Sequence, residues 1–305
     1  MTLSVTLAAA ILIGVTLGLL GGGGSILTVP ILVYIARVPA KEAIAMSLFV
    51  VGVTAAFAVI PHARAGRVRW RTGVIFGLAG MTGAYAGGRI AEYIPGQWLL
   101  VGFAIMMVAT AVAKLRGRRS RTDRPVPHEL PIAHVLADGV VVGLVTGLVG
   151  AGGGFLVVPA LALLGGLPMA TAVGTSLLVI AMKSTAGLAG YLHSVHIHWG
   201  LALAVTAAAV AGSVLGGRLA GRISHDTLRR AFGWFVIAMA AFVLLQQAPT
   251  SARHWLLTTP TGWVALAVAV LGGAGAGVLQ HRHQRVAATA STDVPPPPRT
   301  PAQVG

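Results

Sequence analysis

The sequence predicts an all-α integral membrane protein: two inverted four-helix repeats, each with a glycine-broken re-entrant helical hairpin, plus one additional C-terminal transmembrane helix. Three observations lead there. The 305-residue chain is 56% hydrophobic and only 10% charged, too apolar to cover a water-soluble globule with polar surface. Apolar stretches of bilayer-spanning length recur along almost its whole length. The chain also repeats itself at a fixed offset.

The apolar stretches lie near residues 3–20, 43–60, 72–91, 98–115, 132–149, 170–192, 200–220, 232–245 and 262–279. The first has no basic leader and no A-x-A site, so it reads as a retained helix and not a signal peptide. Two stretches are interrupted alike, by "GLLGGGGSILTVP" at 18–30 and "GLVGAGGGFLVVP" at 147–159. Sliding the chain by 129 residues aligns 14–113 with 143–242 without a gap, and 27 of those 100 pairs are identical. Composition alone would give roughly ten, so the match is a duplication. It pairs Pro39 with Pro168, Ser47 with Ser176 and Trp70 with Trp199. The expected units are a first repeat (1–115), a basic cytoplasmic linker (116–131), a second repeat (132–248), the additional helix (249–280) and a Pro-rich, disordered cytoplasmic tail (281–305).

Basic residues set the expected orientation. With the loop of Arg64, Arg67, Arg69 and Arg71 in the cytoplasm, the linker, Arg218 to Arg230 and the tail follow, placing 17 basic residues inside and four outside (Arg37, Lys41, Arg89, Arg253). The loop equivalent to the first, "YLHSVHIHWG", has no Lys or Arg and falls outside. Each half must then cross an odd number of times. Four spans per half satisfy this if the helix broken at the glycines returns as a short segment, 26–36, of about 16 Å. Broken helices at equivalent places in inverted repeats point to a transporter's central site.

At membrane depth, irregular backbone is tolerated only in packed protein or beside a water-filled cavity. Glycines there leave room for a ligand against the backbone, and the restarting helix offers unpaired N–H groups to an anion. The expected substrate-binding residues are therefore Gly23, Gly24 and Ser25 from the first break and Gly152, Gly153 and Gly154 from the second. Ser47, Thr175 and Ser176 join them as hydroxyl donors on the following helix. Lys183 joins as the only basic residue well inside a span, where a charge is costly and usually functional. Its repeat partner is Thr54. Close helix packing is the competing explanation for the glycines.

Other classes have little in the sequence behind them. There is no cysteine, and Asp138 is the only acidic residue that falls within a span, which argues against cation transport. His193, His196 and His198 cluster without a carboxylate or cysteine, so no metal site is expected. No catalytic motif lies in the spans, and an enzyme is not expected. The net charge of +15 resides in loop arginines that act as topology signals, so nucleic acid is not an expected partner. No cofactor is expected. The expected partners are a small anionic substrate and the lipid bilayer, and a homodimer is compatible with the sequence.

The elements "GGGGSILTVP" and "GAGGGFLVVP", with "TSL" at 175–177, "MSL" at 46–48 and "H-x-x-x-G" at 62–66, resemble the sulfite exporter TauE/SafE family over roughly residues 5–247. The resemblance implies a multi-pass secondary transporter of the bacterial inner membrane. Its substrates would be sulfur-containing anions such as sulfite and sulfonates, or related small organic acids. Met46 stands where the family has Thr, and Tyr191 and Val195 replace the His and Gly of the second loop. The functional expectation is alternating-access transport of such an anion, with an anion channel or a non-transporting membrane scaffold as alternatives.

Overall fold

The computed structural model describes residues 2–115, 132–150, 152–154, 157–158, 161, 167–219 and 225–247. The expected linker, additional span and tail lie outside the described residues. Every regular element among the described residues is helical: α1 (Thr2–Leu20), α2 (Ala40–Arg64), α3 (Trp70–Ile90), α4 (Gly96–Leu115), α5 (Ile132–Val149), α6 (Met169–Tyr191), α7 (Trp199–Leu219) and α8 (His225–Gln247). Three of these, over Ala40–Arg64, Thr171–Tyr191 and Trp199–Arg218, are both long and apolar enough to cross a bilayer. Large side chains such as Ile105, Val141, Leu203 and Val214 are exposed, as a lipid-facing surface requires.

The duplication is visible in how helices begin. Pro39 and Pro168 precede α2 and α6 with matching backbone angles, φ −53° and ψ 144° against φ −52° and ψ 142°. Their carbonyls accept the N–H of Ala43 and of Ala172, both at 2.8 Å. Proline cannot donate but can accept, and its fixed φ suits the residue that opens a helix.

Close helix contacts recur at equivalent glycines. The first helix of each half lies against the third helix of the other, α1 on α7 and α5 on α3. Glycines let the backbones touch. A Cβ on Gly14 would strike the carbonyl of Ala209, and one on Gly143 would strike that of Gly80, the residue equivalent to Ala209. Gly18 faces Ser213 as Gly147 faces Ala84, and Gly212 and Gly216 on α7 mirror Gly83 and Gly87 on α3. Without a hydrophobic drive between helices in lipid, such close approach supplies the attraction. The halves are therefore interlocked. In the middle, α2 crosses α6, and α4 lies against α8; each pair maps onto itself when the halves are exchanged. Ile44 and Leu48 of α2 share an apolar core with Phe103 and Met107 of α4 and Val236 and Val243 of α8.

Candidate functional site

The two glycine breaks differ in construction. After α1 the chain tightens into a 3₁₀ turn over Gly21–Leu27, makes one α turn at Thr28–Pro30 and widens into a π turn at Ile31–Ile35. Gly23 lies within that 3₁₀ turn. Gly24 presses on α1, where a Cβ would sit 2.6 Å from Thr16 Oγ1 and 2.7 Å from Leu17 Cα. Ser25 and Thr28 are fully buried, and the Thr28 hydroxyl has no hydrogen-bond partner.

The second break is a left-handed excursion. Gly150, Gly152 and Gly153 have φ of 71°, 58° and 60°, a region that side chains resist. Helical structure resumes at Gly154, and the Gly153 carbonyl accepts the Val157 N–H at 3.0 Å. Ser47 on α2 donates its hydroxyl to the Gly150 carbonyl at 2.6 Å, satisfying an acceptor that the break frees.

The breaks meet. A Cβ on Gly152 would come within 3.5 Å of Ser25 Cβ and would press on Val51 of α2. Beside them stands Lys183 on α6, only 1% exposed. Its ammonium lies against Gly153, where a Cβ would collide with both Nζ and Thr146. Nζ donates to Thr146 Oγ1 at 3.1 Å, and Thr146 in turn donates to the Val142 carbonyl at 2.7 Å. The lysine stem runs over Gly80 of α3, which has no side chain to block it. The next residue, Ser184, is fully buried with an unpartnered hydroxyl.

Among the described residues no carboxylate pairs with Lys183. The ion pairs among the described residues are Arg89–Glu92 and His198–Glu42, so none includes Lys183. A buried ammonium with a single hydroxyl acceptor is costly, and an anion at the spare donors would relieve that cost. The glycines keep Cβ atoms out of the space beside Nζ.

Other sequence-predicted residues lie elsewhere or are already engaged. Ser176 donates to its own helix at Val173, 2.7 Å away. Thr175 accepts the backbone N–H of Arg69 at 3.0 Å, ahead of α3. It sits eight residues before Lys183, about 12 Å along the helix. The "H-x-x-x-G" stretch closes α2: the His62 carbonyl accepts the Arg67 N–H at 2.9 Å, and Gly66 takes φ 67°. Asp138 is half-buried on α5. His193, His196 and His198 are exposed, and no group of three metal-ligating side chains occurs among the described residues.

Sequence reasoning missed Thr146, Ser184 and Glu42. The signal was present: Thr146 replaces Leu17 and Ser184 replaces Ala55 between otherwise matched halves. A polar residue gained in only one copy of a duplicated helix marks a place where the copies do different work.

Comparison with known proteins bears on this geometry. The model of the sulfite exporter TauE/SafE family matches residues 6–243. A protein of Xylella fastidiosa (strain Temecula1 / ATCC 700964) named "Probable membrane transporter protein" is 37% identical over 249 residues, covering 80% of this chain and 95% of the relative. A similarly named protein of Methanocaldococcus jannaschii is 28% identical over 254 residues, 77% of this chain and 94% of the relative. One from Bacillus subtilis (strain 168) is 26% identical over 248 residues, 74% and 89%. No solved structure matches the chain. The chain belongs to the sulfite exporter TauE/SafE family.

Proposed function

Taking that family membership as the premise, we propose that the protein is a secondary transporter moving a small sulfur-containing or organic anion across the bacterial inner membrane by alternating access. The anion sits where the two breaks meet, against Gly152, Gly153 and Ser25, with Lys183 as counter-charge and Thr146 orienting the ammonium. One observation carries the reading: a fully buried lysine, with no carboxylate partner among the described residues, points its ammonium at a side-chain-free stretch of backbone. Such a charge in a membrane protein marks a ligand path. Repeat-equivalent glycine breaks that meet in space favour the inverted arrangement, with each break as a re-entrant hairpin. The excess of basic residues in the 64–71 loop, the linker and the tail favours a cytoplasmic C-terminus. The mouth near residues 36–42 and 192–200 then faces outward.

Thermal unfolding of the purified protein with sulfite, thiosulfate, sulfoacetate, taurine or chloride tests the site, with Lys183→Thr beside wild type. One anion should stabilise wild type by about 2.7 kcal/mol at a hundredfold excess over its dissociation constant. Lys183→Thr restores the residue of the first half and removes a lone buried charge. It should be no less stable without anion, yet lose the response. Equal responses in both proteins would remove the site from the second break.

A further inference from the structure

We infer that Glu42 and His198 form a proton-binding site at the outer mouth between the halves, and that this proton is the coupling ion; the inference rests on the transporter reading above. Glu42 lies in the first turn of α2 and is 8% exposed. Its Oε1 accepts the His198 backbone N–H at 3.2 Å and also meets Nδ1 of the ring. His198 stands directly before α7, so the contact ties the start of α2 in the first half to the start of α7 in the second. Glu42 and His198 line an open cavity of about 490 Å³ with Arg37, Pro39 and Leu201. The imidazole is 77% exposed and so reaches water directly.

The opposite mouth is tied in the same way by a group that does not titrate. Arg69, the repeat partner of His198, also directly precedes a helix, and its backbone N–H donates to Thr175 Oγ1. Thr175 lies one turn beyond residue 171, the repeat partner of Glu42. Both mouths therefore close on a side-chain acceptor from the neighbouring half. One acceptor is a hydroxyl; the other is a carboxylate with an imidazole beside it.

The surrounding charges set the direction. Arg37 shares the cavity and repels an imidazolium. Lys41 is occupied, donating to the Glu92 carbonyl at 2.8 Å, and Glu92 pairs with Arg89 at 3.7 Å. From the second half, His193 and His196 lie on the loop that carries His198. The Glu42 carboxylate reaches the His198 ring only while the starts of α2 and α7 lie together, which is the closed mouth. The bond to the carboxylate is charge-assisted already, and a proton added to the ring turns it into an ion pair. The closed mouth thus holds the proton more tightly than the open mouth, and acid shifts the population toward closure. A proton captured from outside closes the outer mouth behind the anion.

Two experiments test this. In proteoliposomes, methanesulfonate and sulfite exchange is measured at equal pH on both sides, and methanesulfonate uptake is then driven by an outside-acid gradient. Glu42→Gln and His198→Gln should keep exchange within about twofold and lose roughly fivefold or more of the gradient-driven accumulation. Gradient response retained in both variants overturns the proton site alone. A wild-type protein that exchanges neither anion overturns the transporter reading, and this inference with it. The second experiment needs no change to the pair. The chain has no cysteine, so Leu201→Cys can be labelled with an impermeant methanethiosulfonate and normalised to Tyr93→Cys, a position 81% exposed. Labelling should be slower in acid, on the order of fivefold between about pH 8 and about pH 5.5. A flat profile overturns the inference.

Discussion

The two glycine breaks occupy equivalent places in the duplicated sequence and touch in the structure, yet among the described residues only the second has a charge beside it. At the first break the helix side presents Leu17, and the positions matching Lys183 and Ser184 hold Thr54 and Ala55. Thr54 is satisfied within its own helix, donating to the Val50 carbonyl at 2.6 Å. At the second break those places hold Thr146, Lys183 and Ser184. The backbone differs in step: the first break runs as a 3₁₀ turn, and the second needs three glycines with positive φ. The contrast separates two jobs. The frame is common to both halves, whereas the polar residues beside the break belong to the second alone, where we propose the anion binds.

If the frame is shared, damage to it should be symmetric. Gly143→Ala and Gly14→Ala each drive a Cβ into a carbonyl of the facing helix, and each should destabilise by up to about 3 kcal/mol. Gly217→Ala, which meets nothing within 4 Å, should be near neutral. Unfolding measured in the same detergent compares the three, and unequal effects at 14 and 143 would break the equivalence of the halves. If the chemistry is not shared, polar swaps should be asymmetric. Thr146→Leu installs the first-half residue beside Lys183 and should weaken anion binding about tenfold through loss of the one acceptor that orients the ammonium. Leu17→Thr should leave affinity unchanged. Ser184→Ala is the mildest test: its buried hydroxyl has no partner among the described residues, so stability should be unchanged or raised.

Much of the frame was legible in the sequence because it is periodic. The offset of 129 residues, the paired Gly-Pro elements and the recurring glycines report local patterns that survive without coordinates. Lys183 stood out because one charge in a long apolar run needs no partner to be noticed. What was not legible depends on residues far apart in the chain. Ser47 is 103 residues from Gly150 and Glu42 is 156 from His198, and no local spacing announces either bond. Ser47, Thr175 and Ser176 were grouped by their place on matching helices. Neighbouring helical residues point about 100° apart, so Thr175 and Ser176 take different partners. Nor does composition say which glycines will be left-handed: the two clusters hold four glycines each, yet the positive φ values lie in the second.

Equilibrium titration of the anion that stabilises the protein, read by calorimetry as a number bound per chain, tests the division between frame and chemistry most directly. One anion per chain, abolished by Lys183→Thr, is the predicted result. Two per chain, or one that survives Lys183→Thr, would mean that the breaks act alike and that the lysine is not what holds the anion.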